Sequence, residues 1–316
     1  MRAQAAARSG VVALALVTCG CSDDREQHDT LVVSARLPKN RGCCQLYKVD
    51  EAGREWQLPL RGRDPAWSAR SHRLVYTTQG QLWVGRLEGH RRRVVIGRYL
   101  AAVPKWAPDG RHVVFECALG RRRDRRTGVC VTDLSRGSVR RLLWESRNAS
   151  TTVSYSQPSW SPHAADIAFV RAVDDRHRSF VAIAVFRIDP RTRHVQRLTR
   201  DTPQLASTLP TWAPDGNTIA YYRADYSQAP DAECTIRSVR RDGKGEKQLL
   251  PPVRGVKSCS VTALTWSPDG SRFGLSVSGD YCFIAQIRHS PHASVVNKRH
   301  LGCSGLTWVG ATKPAH

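Results

Sequence analysis

The chain has 316 residues, 41% hydrophobic and 24% charged, which is the composition of a folded soluble protein with enough length for a full core. Its formal net charge is +22, and all but eight of its 49 basic residues are arginine. That excess bears on partners and not on fold, and two sources fit it: a polyanion-binding surface, or the codon drift of a G+C-rich genome.

In chain order, Arg2 and Arg8 form a basic leader, Val11 to Val17 an apolar run, and Val17-Thr-Cys-Gly-Cys21-Ser22 a small-residue end. The run is too short to span a bilayer. This end resembles a bacterial lipoprotein signal, in which a small residue precedes a Cys that is acylated and becomes the new N-terminus. Gly20-Cys21 fits that pattern; Thr18 stands where the family usually has Leu, and Cys19 is a competing anchor. The expectation is a signal over residues 1–21 ending at Cys21, a tether over 22–29 and one folded unit over 30–312. A plain secretory peptide is the alternative. Ten Cys in an exported chain imply disulfides.

Next, Thr30–Ala35, Cys43–Val49 and Arg54–Leu58 read as a second, third and fourth strand with no first strand before them. A phrase then recurs: Val103-Pro-Lys-Trp-Ala-Pro-Asp-Gly110, Leu209-Pro-Thr-Trp-Ala-Pro-Asp-Gly216 and Ala263-Leu-Thr-Trp-Ser-Pro-Asp-Gly270. Looser copies are Asp64-Pro-Ala-Trp-Ser-Ala69, Gln157-Pro-Ser-Trp-Ser-Pro162 and Gly305-Leu-Thr-Trp308. The repeat tryptophans, at 67, 106, 160, 212, 266 and 308, are 39 to 54 residues apart. That period, with several short strands per unit, points to β-propeller blades of four strands. In the second repeat they are read as Val103–Ala107, Arg111–Glu116, Val129–Leu134 and Val139–Leu143. Pro-Asp-Gly supplies a tight turn after each first strand.

Trp308 lies too near the C-terminus for its blade to be completed there. Its strand is therefore expected to pair with the N-terminal strands, near Val32. The fold class read from the sequence is all-β, a six-bladed β-propeller closed by pairing of the C-terminal strand with the N-terminal strands; closure removes exposed sheet edges. The Trp-Ser/Ala-Pro-Asp-Gly phrase followed by an Ile-Ala-Phe-like strand resembles the repeat of TolB-type propellers. That resemblance implies a six-bladed periplasmic protein and says little about ligand. The extra N-terminal domain of TolB has no counterpart in this sequence.

Because strand direction alternates, hairpins between strands one–two and three–four share one face. That face is read as short-looped. The extra length falls on the other: 118–128, 144–156, 171–179, 200–208, 224–233 and 251–260. Loop insertions on one face mark it as a binding face. Disulfides are expected between Cys117 and Cys130, Cys234 and Cys259, and Cys282 and Cys303, leaving Cys43 and Cys44 as a vicinal bridge or as thiols. A short tether to Cys21 would turn the short-loop face toward the membrane.

Residues 61–200 hold 28 basic and 11 acidic side chains. Arg121, Arg122, Arg123, Arg125 and Arg126, near Arg171, Arg176 and Arg178, are the candidate dock for an anionic partner; the bland reading is a solvated arginine-rich loop. The aspartates 109, 215 and 269 are expected to cap their own turns, and the tryptophans to pack the core. No metal or cofactor site is expected, and neither His-Glu-x-x-His nor Gly-x-Ser-x-Gly occurs. Export, and the lack of a basic motif interleaved with aromatics, argue against nucleic acid. The expectation is a non-catalytic, monomeric binding or scaffold module of the cell envelope, lipid-anchored on the periplasmic side or cell surface. Its partner would be a protein or an anionic envelope component. The alternative is a propeller hydrolase or lactonase with a metal in the central channel, where Asp64 is the one acid beside a repeat Trp.

Overall fold

The computed structural model describes residues 29–36, 44–94, 96–120, 124–175, 180–200, 202–227, 233–250, 261–277, 281–287, 293–295 and 302–310. The expected signal and lipid anchor, including Cys21, and Cys43, Cys259 and Arg121, Arg122 and Arg123 lie outside these residues.

Among the described residues every regular element is a strand. The chain opens with β1 (Thr30–Arg36), β2 (Gln45–Val49) and β3 (Glu55–Arg61). It continues through β4 (Arg63–Ser68), β5 (Arg73–Thr78), β6 (Gln81–Gly85) and β7 (Arg91–Val94). Then come β8 (Leu100–Trp106), β9 (His112–Leu119), β10 (Arg126–Asp133) and β11 (Val139–Trp144). A long central run holds β12 (Ser146–Arg147), β13 (Thr151–Trp160), β14 (Ile167–Asp175), β15 (Phe180–Ile188) and β16 (Val195–Arg197). It leads into β17 (Leu205–Trp212), β18 (Thr218–Asp225), β19 (Glu233–Arg240) and β20 (Lys247–Leu250). The last five are β21 (Val261–Trp266), β22 (Arg272–Val277), β23 (Tyr281–Gln286), β24 (Ala293–Val295) and β25 (Gly302–Val309).

These strands form a β-propeller arrangement. Four sheets have four strands each, ordered β25-β1-β2-β3, β4-β5-β6-β7, β8-β9-β10-β11 and β21-β22-β23-β24. The remaining strands form one nine-stranded sheet, where six separate sheets were expected. It contains the repeats of both Trp160 and Trp212. Its two halves are joined by one parallel backbone contact between β15 and β17, Ile183 opposite Ala206.

The C-terminal strand pairs antiparallel with the N-terminal one, Trp308 opposite Leu31 and Thr307 opposite Val32. Thr307 also touches the first repeat: its Oγ1 accepts the Trp67 backbone N–H at 3.2 Å. Apolar faces of neighbouring sheets meet in clusters. One joins Val75, Val84 and Leu82 to Phe115 and Val113; another joins Leu31 and Leu306 to Ile284. At roughly 25 cal/mol per Å² of apolar area removed from water, this inter-sheet packing drives assembly.

The repeat phrase has a physical meaning at both ends. Its Trp lies against the preceding repeat. The Trp106 indole N–H donates to Ala66 O at 3.0 Å, Trp212 to Ser159 O at 3.0 Å and Trp266 to Thr211 O at 3.2 Å. Each acceptor belongs to the residue just before the neighbouring repeat Trp, so one contact is stamped out three times. At the other end, Asp109 accepts the N–H groups of Arg111 and His112, and Asp215 those of Asn217 and Thr218. Asp269 accepts that of Ser271. The following Gly110, Gly216 and Gly270 all have φ near +70° (66°, 66° and 72°), the left-handed conformation that glycine adopts without steric cost.

Several expected loops prove to be paired strand. Thr151 to Ser156, taken from sequence as part of a connection, pair with Asp175 back to Val170. The β9–β10 hairpin is paired out to Leu119 and Arg126. Their alternating polar and apolar residues extend the sheets outward and leave shorter tips.

Candidate functional site

Two features stand out, a central cavity and a set of arginine clefts on the rim. The cavity is about 300 Å³ and is lined by residues just before the repeat tryptophans, among them Asp64, Val103, Gln157, Leu209, Ala263 and Gly305. Local sequence explains its wall. Four repeats carry a residue followed by Pro: Asp64-Pro65, Val103-Pro104, Gln157-Pro158 and Leu209-Pro210. Each pair falls at a register shift of its first strand. The residue before Pro has φ of +52°, +46°, +51° and +55° respectively. Pro brings no N–H needing a partner, so the bulge leaves only the preceding N–H to be satisfied.

Side chains from the neighbouring repeat satisfy it. Leu209 N–H donates to Gln157 Oε1 at 2.7 Å, and Gln157 N–H to Glu116 Oε1 at 2.7 Å. Val103 N–H donates to the Asp64 carboxylate. The last repeat has no Pro and needs its glycine for another reason: a Cβ on Gly305 would lie 3.0 Å from Asp64 Cα.

Three ionisable groups share this cavity: Asp64, Lys105 and Glu116. Burial pushes the Asp64 carboxyl up, against the Val103 N–H and the Lys105 ammonium, which favour the charged form. Burial also pushes the Glu116 carboxyl up, opposed by the Gln157 N–H and reinforced by the negative charge of Asp64. Lys105 is pushed down by burial, with Asp64 opposing. Carboxyls pushed up and an amine pushed down in one small cavity are the raw material of acid–base chemistry. Here, however, both carboxylates already serve backbone N–H groups. A metal fits poorly: among the described residues no group of three His, Cys, Asp or Glu side chains is placed to hold one, and Lys105 adds a positive charge. Across from this polar side, Leu209, Leu264 and Leu306 make the wall apolar.

The rim carries two arginine clefts of opposite character. One, about 440 Å³, is lined by Arg187, Asn217, Arg240, Arg241 and Asp242. Its arginines are ion-paired: Arg187 and Arg241 share Asp166, at 3.1 and 2.5 Å, and Arg240 reaches Asp242 at 3.1 Å. The other, about 240 Å³, is lined by Arg73, Val84, Gly85, Arg86, His90, Arg91 and Arg92, with no acid in its wall.

The arginines singled out from sequence fall elsewhere. Arg125 and Arg126 are exposed at the β9–β10 hairpin, where the Arg125 carbonyl accepts from Arg147 Nη2 at 3.0 Å. Arg171 lies over the Phe186 ring, 5.4 Å from its centroid. Of the disulfides, Cys117–Cys130 is formed. Cys234 and Cys282 are each disulfide-bonded, with Cys259 and the Cys303 side chain outside the described residues. Cys44 is buried, and its sulfur accepts from Arg63 Nε at 3.4 Å. Sequence reasoning found Asp64 but missed Lys105, Glu116 and Gln157. The available signals were the lone acid in the apolar strand Val113-Val-Phe-Glu-Cys117 and the recurring residue–Pro pair.

No protein-family model matches the chain, and no curated protein sequence does either. Solved structures do resemble it. A putative TolB from Agrobacterium tumefaciens is 15% identical with a TM-score of 0.58, over 88% of this chain and 91% of that one. An oligogalacturonate lyase in complex with manganese is 17% identical with a TM-score of 0.56, over 79% and 70%. XC5397 from Xanthomonas campestris, a gluconolactonase, is 14% identical with a TM-score of 0.52, over 90% and 92%. At these identities the likeness is one of fold: the chain shares its propeller with a TolB-like protein, a lyase and a lactonase alike.

Proposed function

We propose that this chain is a non-catalytic binding module of the cell envelope, exported and anchored through lipid at Cys21. In this reading the nine-stranded sheet counts as two blades, so the ring has six, with the β25–β1 pairing as its closure. The mature protein acts as a monomer and presents a rigid rim to a protein or anionic envelope partner, with the short-loop face toward the membrane. The observation that supports this best is the condition of the cavity. Asp64 and Glu116, its two acids, are committed to backbone N–H groups of adjoining repeats and so tie the ring together.

A second reading is favoured by the same residues. Their shifted proton affinities in a small cavity also suit a hydrolase or lactonase, and the lyase and lactonase likenesses keep that reading in play. Crosslinking in native cells separates the two, using the wild type and an Asp64→Asn/Glu116→Gln chain. The binding-module reading expects the same envelope partner from both. Loss of the partner together with loss of an ester- or lactone-cleaving activity would replace it with the enzyme reading.

A further inference from the structure

We infer that the acid-free cleft on β5–β7 is a binding site for a phosphate-type oxyanion, held by Arg73, Arg86, Arg91 and Arg92. The inference gives a site and a chemistry to the anionic partner proposed above, and so rests on that reading.

The cleft is built by strand register. Val75 lies opposite Val84, and Val84 opposite Arg92. Side chains two residues apart share a face, so Arg73, Arg86 and Arg92 belong to one side of this sheet. The hairpin continues that row, Arg86 N–H donating to His90 O at 2.8 Å. Arg91, from the alternate face, also lines the cleft.

Two of the guanidiniums are held in place before any ligand arrives. Arg91 lies over the Trp83 ring, 5.5 Å from its centroid. Arg92 reaches the adjoining sheet, donating from Nη2 to Leu134 O at 3.0 Å. Neither contact neutralises charge. Among the described residues no carboxylate lies within ion-pair distance of Arg73, Arg86, Arg91 or Arg92. Two acids stand nearby in the chain. Glu88 is exposed at the hairpin tip, and Asp133, next to Leu134, is bound to Arg111 at 2.6 Å. The 440 Å³ cleft is the internal control, because there every arginine is already ion-paired, Arg187 and Arg241 sharing Asp166 and Arg240 holding Asp242.

Guanidiniums that line one cleft without a carboxylate in its wall suit a tetrahedral oxyanion, since the planar fork donates two parallel hydrogen bonds to its oxygens. A volume of about 240 Å³ admits a phosphomonoester or phosphodiester group. The same chemistry is offered by a soluble phosphoester and by a phospholipid headgroup.

The test is titration calorimetry of the purified chain with glycerol 3-phosphate, alongside co-sedimentation with phosphatidylglycerol and phosphatidylcholine vesicles. Wild type is compared with Arg86→Gln, Arg86→Gln/Arg92→Gln and, as control, Arg240→Gln. Melting curves check the fold, and Arg86→Gln alone carries the test where Arg92→Gln unfolds the chain. We expect at least about tenfold weaker binding on loss of the two guanidiniums, and about twofold or less for Arg240→Gln. Saturable glycerol 3-phosphate binding assigns the site to soluble phosphoesters. Binding confined to phosphatidylglycerol vesicles and weakened in the Arg86 variants assigns it to headgroups, and either result, with that weakening, upholds it. Salt-sensitive vesicle binding that is equal in wild type and the Arg86 variants overturns the site and leaves the binding-module reading standing. Binding to neither probe overturns the site, while recovery of the crosslinked partner decides the broader reading separately.

Discussion

The inner and outer edges of each sheet are made from similar residues and put them to different use. At the inner edge polar groups are enclosed: Glu116 and Gln157 each accept an N–H from a neighbouring first strand at 2.7 Å, and burial pushes the Glu116 carboxyl up. At the outer edge charges are solvated and answer one another across hairpins, as Arg240 answers Asp242 with side chains 61% and 51% exposed. Within the repeat phrase Trp106 and Trp212 are enclosed, whereas Asp109 and Asp215 stand at exposed turns. Contacts between repeats therefore constrain the inner edge more tightly than the outer one.

The comparison is testable, beginning with the largest effect. Replacing Trp106 by Ala removes a buried indole and its bond to Ala66, and is expected to cost about 3–5 kcal/mol in urea unfolding. Opening the Cys117–Cys130 disulfide by double Ser substitution should cost about 2–4 kcal/mol in the same assay.

Glu116→Ala strands the Gln157 N–H and should cost about 1–3 kcal/mol, while Glu116→Gln keeps an acceptor and should cost less than Glu116→Ala. Equal costs for the two variants would show that the Glu116 side chain does not hold the Gln157 N–H. Arg240→Ala should change stability by less than about 1 kcal/mol, and less still in salt. A larger loss would erase the contrast between the edges.

Dependence on pH sharpens the same contrast. Glu116 has its carboxyl pushed above 4.5 in the fold, so the folded chain keeps a proton that the unfolded chain has released. Its contribution thus falls as pH rises from about 4.5 through the shifted value. Asp109 and Asp215 run the other way. Burial raises them, but the N–H groups they accept outweigh it and hold both below 3.8, so their contribution is lost as pH falls through that range. Stability of Glu116→Gln, followed by denaturant titration from pH 4 to 7, should be flatter than that of the wild type in the upper part of this window.

Much of this was legible in the residues. The Trp spacing and the Pro-Asp-Gly turns located the strands, and an incomplete last repeat located the pairing of β25 with β1. The fusion of two repeats into one sheet was not legible, because a single backbone contact at Ile183 and Ala206 leaves no side-chain pattern. The extension of β13 was hidden by its composition, since Thr151-Thr-Val-Ser-Tyr-Ser reads as readily as a polar connection. In the cavity, Asp64 was visible beside its Trp. Glu116 was not: it sits on a second strand and serves an N–H 41 residues away. The rim cleft is likewise a product of register, since Arg73 and Arg92 come together only once β5, β6 and β7 are paired.

The head-to-tail pairing has a practical consequence for engineering. The space beside Gly310 is bordered by Asp29, whose Oδ1 would lie 3.7 Å from a Cβ placed there, so the first and last described residues are neighbours. A short linker could join them, and new termini could then be cut into a rim hairpin without breaking any inner strand. Circular permutants of that kind would keep every indole contact while moving the chain ends to a different sheet.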